Sequence, residues 1–161
     1  MNNKTFLALL AIFAIVGSMA AVFAVDATLG DLKFEVPDDY KVTNSNDTAV
    51  ELTNDKKTII VSTEITGNDA VNNYLTGKGF KFNETTKGNQ TVSGNQLNGH
   101  FSYDENTYSK DKGFASAYLL VKDNKPITII GIDNDFDGDD IGDNDIQKAV
   151  GEVAKQIMLR K

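Results

Sequence analysis

From Leu32 the chain alternates between apolar Leu32, Phe34 and Val36 and charged Lys33 and Glu35, the period of two that marks a half-buried strand. Pro37-Asp38-Asp39 then turns the backbone,. Val50 and Leu52 mark a second strand, Asn54 to Lys57 a turn, and Thr58 to Ile65, rich in β-branched residues, a third,. These runs predict an antiparallel meander. At Asn68-Asp69 the period changes: behind an Asx N-cap, Ala70, Val71, Tyr74 and Leu75 share one helical face, and Gly77 and Gly79 stop the helix,. Phe80 and Phe82 open another extended stretch, which Lys87-Gly88-Asn89 is expected to turn. Leu97, Phe101 and Tyr103 mark the next strand, with Gly99 on the same face, and Asp104 to Gly113 reads as a polar connection.

Phe114–Val121 and Ile127–Ile132, joined by Asp123-Asn124-Lys125-Pro126, are the most apolar segments after residue 25 and predict the central hairpin,. From Asp145, the spacing of Ile146, Val150, Val153 and Ile157, with Ala149 and Ala154 beside them, predicts an amphipathic helix,. Gly151 inside it costs about 1 kcal/mol relative to Ala, which tertiary packing must offset. Lys155, Arg160 and Lys161 lie near its carboxyl end, where the helix dipole favours cations,. The order strands, helix, strands, helix, with hairpin-length links, predicts an α+β fold: an antiparallel sheet with two helices packed on one face.

The segment LKFEVPDDYKV at 32–42, the short helix near Asp69, the long final hairpin and the closing amphipathic helix together resemble the PsbP/Mog1-type α/β/α fold of small exported proteins, over roughly Leu29 to Lys161. That resemblance implies an accessory or binding subunit more readily than an enzyme. It carries no catalytic motif across and leaves the acidic loop described below unexplained.

Thr5 to Val25 carries no charge and follows Lys4. A basic start, an apolar middle at Phe6–Val16 and small residues at Val22-Phe23-Ala24 or Ser18-Met19-Ala20 fit a cleaved secretory leader over residues 1–24,. The length also fits an uncleaved anchor over 5–25 with its amino terminus inside. Either outcome places a single domain, residues 26–161, outside the cytoplasm, secreted or held on the outer face of the cell membrane. Asn46, Asn83 and Asn89 begin Asn-x-Ser/Thr sequons there, acceptors for glycosylation if the exporting cell provides it,.

Composition narrows the chemistry. The chain has 161 residues, no Cys and a single His, with 16 basic against 23 acidic side chains. Without Cys there are no disulfides, thiolate nucleophiles or zinc fingers, and one His excludes multi-His metal sites. A net charge of −7 argues against nucleic acid as a partner,.

The acidity is concentrated. Residues 133–145 read DNDFDGDDIGDND and hold seven of the 23 acids with no Lys or Arg. Asp133, Asp135, Asp137, Gly138 and Asp139 match the D-x-D-x-D-G start of a calcium loop, in which alternate carboxylates aim at one centre and Gly permits the bend,. A full EF-hand would carry Glu at the twelfth position, where Asn144 stands, and a helix in front, where a strand is predicted. The expectation is a structural strand–loop–helix Ca²⁺ site with Asp133, Asp135 and Asp137 as ligands, the Asp139 carbonyl as a fourth, and Asp143 or Asp145 completing it. Without an ion, the same loop is a solvated acidic run whose last Asp caps the helix.

Other residues read as structural. His100 falls on the strand face opposite Phe101, and the serines lie in no G-x-S-x-G or S-x-x-K context,. Gly77-Lys78-Gly79 follows a helix and so reads as a helix stop rather than a phosphate loop. Tyr103, Tyr108, Phe114 and Tyr118 either fill the core or line a groove,. The function expected is an exported, non-enzymatic binding or accessory module for a surface protein or ligand, with the membrane touched only through residues 5–25 if these are retained. The alternatives are a membrane-tethered subunit of a surface complex and an exported metal-assisted hydrolase.

Overall fold

The two most apolar stretches pair with each other in the middle of a sheet. The computed structural model describes residues 25–136, 138 and 144–160. In chain order the elements are β1 (Asp26–Leu29), β2 (Leu32–Glu35), β3 (Lys41–Ser45), β4 (Ala49–Asn54), β5 (Lys57–Ser62), α1 (Asn68–Thr76), β6 (Lys81–Val92), β7 (Gly99–Lys110), β8 (Gly113–Lys122), β9 (Lys125–Asp133) and α2 (Asp145–Leu159). Strands β1 and β2 form a separate hairpin, and the other seven form one antiparallel sheet in the order β3-β4-β5-β9-β8-β7-β6. The predicted hairpin is β8–β9, closed by Asp123 and Asn124, both at positive φ (52° and 61°). That is the backbone of a tight hairpin turn, and Asx residues tolerate it better than most.

Alternate residues of the central strands feed two cores. Ile59, Val61, Phe114, Tyr118, Ile127 and Ile129 pack with Ile146, Val150, Val153, Ala154 and Ile157 of α2. Ile60, Ala115, Ala117, Ile130 and Ile132 pack with Val71 and Leu75 of α1. The two helices therefore lie on opposite faces, which corrects the expectation of both on one face. The physical reason is that β5, β8 and β9 are apolar on both faces, so each face must be covered. The β1–β2 hairpin joins the α2 side through Ala27, Leu29 and Phe34. Gly131 permits α2 its close approach to β9: an added Cβ there would fall 2.5 Å from Val150 Cγ2 and 2.7 Å from Ile146 Cγ1.

Three other expectations change. Residues 87–89 do not turn, because β6 runs unbroken from Lys81 to Val92. Gly88 is there because the Tyr103 ring lies over it, its Cζ 2.2 Å from where a Cβ would stand. The polar stretch from Asp104 is strand as far as Lys110. Two of its polar side chains are bonded within the fold: Asn106 Nδ2 donates to Asn68 Oδ1 (2.8 Å), Thr85 donates to Asn106 Oδ1 (2.7 Å), and Glu105 accepts from Ser116 and from Gln147 on α2 (2.7 Å each). Asn68 is thus taken by Asn106, and the N-cap of α1 is Gly67, with no side-chain hydrogen bond.

The ends of α2 also depart from expectation. Its N-cap is Asn144, whose Oδ1 accepts from Ile146 N (2.8 Å), while Asp145 begins the helix. At the other end Lys122 of β8 donates to the carbonyls of Ile157 and Arg160, and Arg160 turns away to hold both carboxylate oxygens of Asp26 (2.7 and 3.3 Å). Among the described residues no helix is long and apolar enough to cross a membrane. The leader predicted at residues 1–24 lies outside the described residues, as does the alternative anchor at 5–25 except for Val25, whose carbonyl accepts from Val36 N (2.7 Å).

Candidate functional site

The acidic loop leaves β9 at a sheet end shared with the β4–β5 turn. Asp133 is nearly buried, and its Oδ1 accepts from Asp135 N (2.9 Å). Asp135 pairs with Lys56 (2.6 Å) and Asp145 with Lys57 (3.4 Å). The Lys56 ammonium holds the Asp135 carboxyl below its ordinary range. Tyr40 borders the same region, and burial, reinforced by the carboxylates of Asp133 and Asp145, pushes its phenol up to about 12. Of the six ligands expected from the sequence, the structure brings Asp133, Asp135 and Asp145 to this end, two of them facing lysines. Asp137, Asp139 and Asp143 lie outside the described residues. Among the described residues no three His, Asp or Glu side chains converge on one point.

A second feature is a fork in the sheet. Pairing between β7 and β8 begins only at Asp104↔Leu119, whereas β7 pairs with β6 as far as Gly99 and β8 pairs with β9 as far as Lys122. Gly99–Tyr103 and Leu120–Lys122 therefore each face the gap without a strand partner on that side. The gap is an open cleft of about 550 Å³. Its β7 wall carries His100, Ser102 and Asp104, its β8 wall Leu119 and Val121, and Met158 from the last turn of α2 reaches its base. Leu159 packs at the mouth of the fork, 3.0 Å from where a Cβ on Gly99 would stand. Val121 is 62% exposed, one of two large apolar side chains left open to solvent among the described residues.

The single His belongs to this cleft. His100 is exposed, as its strand position predicts, and its Nδ1 lies 3.1 Å from the Thr91 hydroxyl. Two residue pairs along, Ser102 donates to Asn89 Oδ1 (2.7 Å). Cross-strand hydrogen bonds of this kind hold the β6–β7 ribbon together beyond the fork. Of the four aromatic residues weighed between core and groove, Tyr108, Phe114 and Tyr118 are buried. Tyr103 stacks on Tyr118 at 4.3 Å and 7° while lining the cleft. Burial raises the Tyr118 phenol, and the nearby Glu105 carboxylate adds to the shift.

A third feature is a more enclosed cleft of about 370 Å³ between the C-terminal end of α1 and the β4–β5–β9 part of the sheet. Hydropathy alone gave no signal for either cleft, because both arise where strands or helices part rather than from a local motif. No protein-family model matches the chain, and no characterised protein matches it in sequence.

Proposed function

We propose that the protein is an exported binding or accessory module, working outside the cell, that engages a macromolecular partner through the fork between β7 and β8. The observation that carries this reading is the fork itself. Two strand edges with free backbone hydrogen-bonding capacity flank the exposed Val121 and the half-buried Leu119, an arrangement that an added strand from a partner can complete,. Strand edges left open in this way are otherwise an aggregation hazard, and proteins cover or blunt them.

Binding rather than turnover is supported by what the polar groups already do. His100 and Ser102 are engaged across the ribbon by Thr91 and Asn89, and Glu105 holds Ser116 and Gln147. The PsbP/Mog1-type resemblance belongs to the same proposal. So does the calcium loop, in which Ca²⁺ would take Asp135 from Lys56 and add ligands from Asp137 to Asp145, as structural support with no chemistry implied.

Export enters through residues 1–25. The fold engages the chain from Val25 onward, and Asp26 is held by both Arg160 and Lys33. Cleavage after Ala24 would leave the new ammonium beside Asp26, and a retained anchor would set the domain directly on the membrane surface. The sequon residues Asn46, Asn83 and Asn89 are exposed, though each Oδ1 accepts a hydrogen bond that a glycan would have to replace or keep.

The test is site-specific photo-crosslinking in cells that produce the protein, with a benzophenone amino acid at Val121 or at Thr43 on the opposite sheet edge. A discrete adduct from position 121 and none from position 43 is expected. Equal or absent labelling at 121 would overturn the assignment of the fork.

A further inference from the structure

We propose that the cleft under the C-terminal end of α1 binds a small organic carboxylate with an apolar or aromatic body, at a site separate from the fork and independent of it. The pocket has an amphipathic build. Ile60, Ile132 and Phe80, all buried, form its apolar side, and Tyr74 borders it from the helix. Ligand sites are commonly of this kind, an apolar berth with a few placed polar groups.

Two ammonium groups stand over the aromatic wall. Lys78 Nζ lies 5.0 Å from the centroid of Tyr74, and Lys110 Nζ lies 4.2 Å from that of Phe80. Neither forms an ion pair among the described residues. The backbone beneath Lys110 leaves its stem room to lie flat. That stem lies across Gly113, where an added Cβ would fall 2.7 Å from both Cγ and Cε, so that only glycine lets the stem lie flat and deliver its charge above Phe80.

The charge selects the ligand. In a chain with a net charge of −7, two lysines against one carboxylate, Glu51, reverse the local sign,. A carboxylate there gains charge-assisted hydrogen bonds from the ammonium groups while its body leaves water against Ile60, Ile132 and Phe80. Glu51 repels the carboxylate from the β4 side and so orients it toward the lysines. Thr58 and Asn134 line the same pocket and supply neutral donors.

The experiment uses the protein as purified from producing cells, ¹⁵N-labelled, with whatever part of residues 1–25 it retains. It is titrated with 3-phenylpropionate, 3-phenylpropan-1-ol, 3-phenylpropylammonium and L-phenylalanine while the backbone amides are followed by NMR. Saturable shifts centred on Thr58, Tyr74 and Asn134 are expected with 3-phenylpropionate, and binding about tenfold weaker for the alcohol and the ammonium. Lys110→Gln and Lys78→Gln should each weaken binding about fivefold, and Lys110→Arg, which keeps the charge over Phe80, should retain it. Equal affinity for the alcohol, tighter binding of phenylalanine, shifts centred on Ser102 and Val121, or no saturation by about 10 mM would each overturn the proposal. Crosslinking at Val121 reads the fork separately, so failure of one leaves the other standing.

Discussion

Gly151 sits in the middle of α2 and is buried, yet nothing in its surroundings requires glycine. A Cβ built there would meet its nearest neighbours, Gln90 Nε2 and Tyr118 Oη, at 3.9 Å, an ordinary contact distance. The substitution Gly151→Ala therefore removes the helix-interior cost of glycine, about 0.8–1 kcal/mol, without steric loss. For a domain of about 135 residues that gain raises Tm by roughly 3–4 °C. Gly131→Ala is the matched control on the facing strand. Its Cβ would lie 2.5 Å from Val150 Cγ2, so either α2 or β9 must move, at a cost of about 1–3 kcal/mol,. Urea unfolding of the purified proteins checks both: the midpoint should rise for Gly151→Ala and fall for Gly131→Ala, with m unchanged in each. A midpoint for Gly151→Ala at or below that of the parent would refute the reasoning, because it would mean that α2 approaches the Gln90–Tyr118 side more closely than this geometry allows.

The Asp26–Arg160 pair joins the first strand to the end of α2, and hydrogen bonding to Arg160 lowers the Asp26 carboxyl below 3.8. A depressed native value gives stability that is present above about pH 3.8 and is lost as pH falls through the native pKa. Asp26→Asn should therefore cost about 1 kcal/mol at pH 7, with the difference from the parent closing at pH values below 3.8 in acid-titrated melts,; a gap that stays constant to pH 2 would refute this. Gly88→Ala should push the Tyr103 ring off its stack with Tyr118, changing the near-ultraviolet circular dichroism and costing about 0.5–1.5 kcal/mol,. An unchanged tyrosine spectrum would count against that contact. For the acidic loop, about 1 mM Ca²⁺ against a dissociation constant of about 0.1 mM would add roughly 1.4 kcal/mol, and Tm should rise with Ca²⁺ but not Mg²⁺. Lys56→Gln should enlarge the rise by freeing Asp135, and Asp135→Ala with Asp137→Ala should abolish it; the absence of any Ca²⁺-specific rise would leave the loop a solvated connection.

The sequence by itself determined the elements whose local pattern and burial agree. The β8–β9 hairpin is apolar on both faces between turn residues, α2 repeats Ile146, Val150, Val153 and Ile157 on one stripe, and α1 ends at glycines, with Gly79 at φ 86°. Each rests on interactions within a few residues, which the order of side chains states directly. It also marked the acidic loop as unusual, since charge density is a property of composition.

What only the tertiary structure decided depends on neighbours distant in the chain. Gly88 lies within a strand because a tyrosine 15 positions away covers it. Asp104–Lys110 is a strand because β6 and β8 pair with it on either side, while Asn68, Thr85, Ser116 and Gln147 bond to its Asn106 and Glu105 side chains. The helices lie on opposite faces because the middle strands present apolar side chains both ways, and no local period says which helix takes which face. Both clefts are gaps between elements, the fork where β7 leaves β8 and the lysine-lined pocket where α1 overhangs β5 and β9. Such a gap is a relation among surfaces, and it comes into being only once those surfaces are brought together.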